Sequence, residues 1–127
     1  MKKQYRVKKS EEIEKIIKEK NYKSNPYITL YKKENTETGH FRYAISVGKK
    51  IGNAVERNRI KRLITAVIDN LDIDLDSSTD VFIIARVAIK DLSYLELRKQ
   101  LEYLFRKQKL IKGEKKWLIF SIGIDIN

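Results

Sequence analysis

The sequence predicts a single-domain α/β sandwich in which helices pack on a mainly antiparallel sheet. Apolar residues recur at helical spacing three times. They do so at Ile13, Ile16 and Ile17, then at Ile60, Leu63, Ile64, Val67, Ile68 and Leu71, and last at Tyr94, Leu97, Leu101, Leu104 and Phe105. Three runs of strand character, "YITLYKK", "FRYAISVGK" and "DVFIIARVA", interleave with them, giving the order helix, strand, strand, helix, strand, helix. The chain has 127 residues, enough to bury one core of its own.

Each element carries local signals. Ser10 is the expected N-cap of the first helix, with Glu11 and Glu12 opposing the positive end of its dipole; Asn25-Pro26 favours extended backbone after it. The first two strand runs flank the polar segment "ENTETGH" and predict a hairpin. In the second of them Phe41, Tyr43, Ile45 and Val47 point to the core, whereas Arg42, Ala44, Ser46 and Gly48 form a small, polar face. Asn53 and Glu56 predict a capping box at the second helix, and Ser93 and Glu96 another at the third, with Leu92 and Leu97 as its hydrophobic staple. Because "DVFIIARVA" is almost wholly apolar, it predicts a strand buried on both faces in mid-sheet. The tail alternates Phe120, Ile122, Ile124 and Ile126 with polar or small residues, so residues 117–127 read either as an added strand or a contact with a second copy, or as a loosely held hydrophobic terminus.

Charge narrows the function. Lys and Arg number 28 against 17 Asp and Glu, a formal net charge of +11 that favours a polyanionic partner. The signs are segregated: "DNLDIDLDSSTD" at 69–80 is acidic, whereas "SVGKKIGNAVERNRIKRLITAVI" at 46–68 is strongly basic. With no Cys, thiolate zinc sites and disulfides are excluded, and with His40 as the one His neither an HExxH-type site nor a Ser-His-Asp triad is expected to dominate the chemistry. Carboxylates at Glu11, Glu12 and Glu14 and at Asp72, Asp74 and Asp76 read as dipole partners and solvated acids. No window has signal-peptide or membrane-span character, which leads to the expectation of a cytoplasmic protein without a membrane partner.

The basic helix is the principal candidate site. At about 100° per residue, Arg57, Asn58, Lys61 and Arg62 share a sector roughly 140° wide, away from the apolar stripe, and Arg59 flanks the stripe on its other border. Arginine donates two hydrogen bonds to phosphate through its planar fork, and the Asn58 amide suits a base edge or a ribose 2′-OH. Lys49 and Lys50, bracketed by Gly48 and Gly52, and the cap residue Asn53 extend the expected RNA-binding set; the Gly-Lys-Ser/Thr ending of a P-loop is missing. Tyr27 and Tyr31, with Thr29 between them, are candidates for stacking single-stranded bases, although strand tyrosines are commonly packing residues.

The segment "FRYAISVGKKIGNAVERNRIKR", with Arg57-Asn58-Arg59 at its centre, resembles the signature of the bacterial ribonuclease P protein subunit. "RVKKSEEIEKI", "DVFIIAR" and the last amphipathic helix extend that resemblance over residues 5–110 in the family's order. It implies an α+β fold, a two-layer α/β sandwich of α-β-β-β-α-β-α order, ribosomal protein S5 domain 2-like, with a left-handed βαβ crossover. That is one strand more than the periodicity shows. The domain would span 1–116 and the hydrophobic tail 117–127. The resemblance further implies a protein that assists a catalytic RNA in cleaving the 5′ leader from precursor tRNA, with no catalytic residue and no metal ligand of its own, Mg2+ being held mainly by the RNA.

On the same resemblance Arg57, Asn58, Arg59, Lys61 and Arg62 contact RNA, joined in the expected set by Lys49, Lys50 and Asn53, and a cleft between the first helix and the sheet takes the leader, with Ile13, Ile17, Thr29, Tyr31, Arg42 and Ser46 as its expected residues. The family commonly has aromatics on the cleft side of the first helix where this chain has Ile13 and Ile17, so weaker leader contact is expected. The expected partners are the catalytic RNA, in a 1:1 complex, and precursor tRNA, with self-association through the tail. An rRNA-binding ribosomal or ribosome-associated protein is the alternative, and a metal nuclease built on the Asp-rich segment 69–80 is disfavoured because no basic residue lies near in sequence.

Overall fold

Two capping boxes frame the helices that carry most of the core. Asn53 accepts from the backbone N–H of Glu56 at 2.9 Å while Glu56 accepts from the N–H of Asn53, starting α2 (Ala54–Asn70) at the expected residue. Gly52 makes room for this: a Cβ there would lie 2.6 Å from Glu56 Oε1. Ser93 and Glu96 repeat the motif at α3 (Tyr94–Lys107). The first helix, α1 (Ser10–Lys18), departs from expectation. Its N-cap is Lys9, whose side chain makes no capping bond, and Ser10 is the first helical residue; Glu11 and Glu12 do occupy the first turn. The chain leaves this helix through Lys20, in the left-handed region at φ 55°.

The structure is a computed structural model and describes residues 3–112. The expected strand or self-contact at 117–127 lies outside the described residues. Four strands, β1 (Tyr22–Ser24), β2 (Ile28–Glu34), β3 (Arg42–Ser46) and β4 (Thr79–Ala85), give the α-β-β-β-α-β-α order and pair as β1-β2-β4-β3. The strand that periodicity missed is β1, three residues long and exposed at every position, so it carries no alternation to read.

The expected hairpin between β2 and β3 does not form. β4 lies between them, antiparallel to β2 and parallel to β3. Its seven residues are nearly all buried, and a strand so apolar needs a hydrogen-bonded neighbour on each side, which an edge position cannot supply. The hairpin that does form joins β1 to β2. Its turn is held by Asn25, whose Oδ1 accepts from the backbone N–H of Tyr27 and Ile28 at 2.9 and 2.8 Å, with Pro26 presetting the bend.

Each sheet face has its own core. Val81, Ile83 and Ala85 of β4, with Ile28, Leu30, Phe41 and Tyr43, pack under Ile60, Ile64, Val67 and Ile68 of α2 and Leu97, Leu101, Leu104 and Phe105 of α3. On the other face a small cluster, Val7, Ile16, Ala44 and Phe82, seats α1, with Ile13, Tyr31 and Ile84 against it. The two-layer arrangement therefore describes the sheet with α2 and α3, while α1 covers part of the opposite face. A period-2 strand presents residues to both sides, and Ala44 and Phe82 supply the apolar footing that the face expected to be polar also carries.

Candidate nucleic-acid interface

The four buried side chains Ile60, Ile64, Val67 and Ile68 anchor α2, each contributing about 1.5–3 kcal/mol of burial. The rest of the helix faces out. Asn58, Arg59, Lys61 and Arg62 are exposed, as are Lys49 and Lys50 in the turn before the helix. Among the described residues no ion pair engages any of these cations or Arg57. Arg57 is half-buried, and its Nε is enclosed without a hydrogen-bond partner. The side-chain oxygen of Asn53 is occupied by the cap, so this residue shapes the helix start rather than offering that oxygen to a ligand.

The face of the sheet seen by α1 is laid out by strand register. One row runs Ser24, Thr29, Ile84, Ser46 across β1, β2, β4 and β3; the next runs Tyr22, Tyr31, Phe82, Ala44; a third runs Lys33, Asp80, Arg42. The expected cleft residues Thr29, Tyr31 and Ser46 lie in the first two rows, all partly exposed. Ile17, at the rim, is 38 % exposed, and Ile13 is half-buried. Tyr27 does not belong to this face: it precedes β2 and packs against the large core.

Arg42 is placed differently from expectation. Its Nε and Nη2 donate to Asp80 Oδ1 and Oδ2 at 2.9 and 2.7 Å, and Nη2 also donates to Glu12 of α1 at 2.6 Å. The hydrogen bond to Asp80, with that to Glu12 behind it, raises the guanidinium pKa against the opposing effect of burial. Asp80, 4 % exposed, further accepts from Asn35 Nδ2 at 2.6 Å. Arg42 thus latches α1 to the sheet, and one acid of the 69–80 segment has a basic partner that linear distance hides. Asp72, Asp74 and Asp76 stay in the loop after α2, where Asp74 Oδ1 accepts from the Asp76 N–H at 3.2 Å. Among the described residues no group of three or more His, Asp or Glu side chains is arranged to hold a metal ion.

Sequence reasoning missed Tyr22. It is 51 % exposed, and its ring centroid lies 5.2 Å from that of Tyr31 with the planes tilted by 40°, so an aromatic pair marks the β1 end of the sheet face. Arg86 was missed as well. It closes a groove of about 560 Å³ shared with Pro26, Ser46, Lys49, Lys50 and Ile84, and its Nη1 donates to the Asn25 carbonyl at 2.9 Å. This groove joins the basic turn to the open row of the sheet. The alternating signal of β2 implied Tyr31; no short-range pattern implied its partner on a three-residue strand.

The arrangement suits a polyanion: an exposed cationic helix face beside a sheet surface with aromatic and small polar side chains. Comparisons with known proteins agree. A family model for ribonuclease P matches residues 1–109. The chain is 41 % identical to the ribonuclease P protein component of Oceanobacillus iheyensis over 89 % of its own length and 93 % of the relative's, and 39 % identical to that of Bacillus mycoides over 91 % and 100 %. The solved Staphylococcus aureus RNase P protein superposes with a TM-score of 0.75 at 35 % identity, covering 85 % of this chain and 98 % of that one. The ribosomal alternative finds no support in these likenesses. By fold, by motif and by relatives spanning nearly its whole length, the chain belongs to the ribonuclease P protein component family.

Proposed function

We propose that this chain is the RNA-binding subunit of ribonuclease P: it associates with the catalytic RNA, in a 1:1 complex, and assists removal of the 5′ leader from precursor tRNA. The carrying observation is the face of α2, where Arg59, Lys61 and Arg62 are exposed and, among the described residues, engaged by no ion pair, on a helix fixed to the core. The bond-breaking chemistry belongs to the RNA, and Mg2+ is held there. The protein's own contribution is electrostatic. Two RNAs that must meet repel each other, and a rigid cationic face between them lowers that repulsion and with it the demand for Mg2+.

The leader is assigned to the sheet face beside α1, where Thr29, Tyr31, Ser46 and the rim residues Ile13 and Ile17 offer surfaces to sugar and base. Arg42 supports this cleft by holding α1, not by meeting the leader. Work on such substrates places the protein in the cytoplasm; among the described residues no helix is long and apolar enough to cross a membrane. Reconstitution with the catalytic RNA across a Mg2+ series tests the reading. Precursor cleavage at low Mg2+ should rise when the chain is added, and an unchanged Mg2+ requirement overturns it.

A further inference from the structure

A second basic groove, of about 390 Å³, opens beside the edge strand β3. One wall is the N-terminal segment, which extends the sheet: Arg6 bridges Tyr43 in parallel register, and the Val7 N–H donates to the Tyr43 carbonyl at 2.9 Å. The other wall is α2, represented by Lys61, and the floor is apolar, made by Val7, Ile13, Ala44 and Ile45. Among the described residues four cations line it, Lys3, Arg6, Lys8 and Lys61, and no carboxylate does. Among the described residues none of the four forms an ion pair. Arg6 is set in place by its guanidinium lying 4.9 Å from the centroid of the Tyr43 ring, a side chain with no exposed surface. Burial pushes the Tyr43 hydroxyl above its ordinary pKa, outweighing the pull of Arg6, so the phenol stays neutral and leaves the charge of Arg6 uncompensated.

We propose that this groove binds RNA phosphodiester backbone, with Lys3, Arg6 and Lys8 of the N-terminal segment as phosphate contacts that continue the cationic face of α2 through Lys61. The inference rests on the RNA-binding reading above and extends it to a segment which that reading does not use. The volume falls in the range of about 300–1,000 Å³ typical of small-ligand sites, and an apolar floor under a cationic rim fits a sugar-phosphate chain better than a compact anion. Two segments distant in sequence carry like charges into one depression, a juxtaposition that repels itself until an anion enters.

The full-length Lys3→Gln/Lys8→Gln protein tests it, since both side chains are exposed and hold no part of the fold. One arm titrates the catalytic RNA alone over a salt series; the other titrates the holoenzyme with precursor tRNA and with leaderless tRNA. The expected result is a several-fold loss of affinity, with the log-log salt slope shallower by about 1 to 2, in whichever arm supplies the phosphates. Arg6→Gln should add to it, with far-UV circular dichroism checking that the fold survives. Affinity and slope unchanged in both arms overturn the groove assignment. An Arg62→Gln protein run in parallel separates the two readings: if α2 is the interface its slope falls even when the groove variants are silent, whereas silence in all three variants sinks the reading of α2 itself.

Discussion

Replacing Arg42 by Met removes all three hydrogen bonds that its guanidinium donates to Asp80 and Glu12, at 2.9, 2.7 and 2.6 Å. The two carboxylates respond differently. Glu12, with 29 % of its side chain exposed, regains water, so its share is at most about 1 kcal/mol. Asp80, with 6 %, stays enclosed with the Asn35 amide as its remaining side-chain donor. Stripping one partner from a buried pair costs about 3–5 kcal/mol, and the surviving Asn35 bond places the loss near the lower end, ~3 kcal/mol. At roughly 4 °C per kcal/mol for a chain of 127 residues, the melting temperature should fall by about 12 °C. Urea unfolding measures the free energy and thermal unfolding the midpoint, both followed by far-UV circular dichroism. Arg42→Met/Asp80→Leu supplies the control: with both charges gone no orphan remains, and Asn35 keeps the His40 carbonyl at 3.2 Å, so most of the stability should return. A single variant within about 0.5 kcal/mol of the parent, or a double variant no better than the single one, refutes the latch.

Two further outcomes are expected. Tyr22→Ala should weaken binding of leader-bearing precursor by about 1–3 kcal/mol if one base stacks there, roughly 5- to 150-fold, and leave leaderless tRNA unaffected; an equal loss with both substrates contradicts a cleft role for the Tyr22–Tyr31 pair. Glu96 has its pKa lowered by the Ser93 backbone and then hydroxyl hydrogen bonds. A depressed carboxylate stabilises the fold above its unfolded pKa, near 4.5, and that contribution disappears as pH falls through the lower folded value. Ser93→Ala should therefore be less stable than the parent at pH 7, with the gap narrowing below pH ~4.5; a gap independent of pH speaks against the capping-box linkage.

Local signals were legible wherever the physics is local. Asn53 with Glu56 and Ser93 with Glu96 act across three residues, and α2 and α3 begin where those pairs place them. The isoleucine stripe of α2 fixes which side of that helix turns inward, which leaves Asn58, Lys61 and Arg62 facing outward. The buried character of β4 was equally plain from its unbroken apolar run. α1 was less so, because Ser10 satisfies the N-cap preference in sequence while Lys9 takes the position in space.

What only the tertiary structure decided was who stands beside whom. No pattern within β2 or β3 reveals that β4 comes between them, because strand pairing is settled by which apolar strand needs two neighbours, a property of the whole sheet. The same holds for Arg42 and Asp80, 38 residues apart and joined by parallel register, for Tyr22 tilted against Tyr31, and for Lys3, Arg6 and Lys8 gathered opposite Lys61. The sequence alone determined that this protein carries a capped, core-anchored helix with cations to spare. The fold determined which of its charges are consumed in holding it together and which remain for RNA, since an ion pair depends on distances that chain order does not contain.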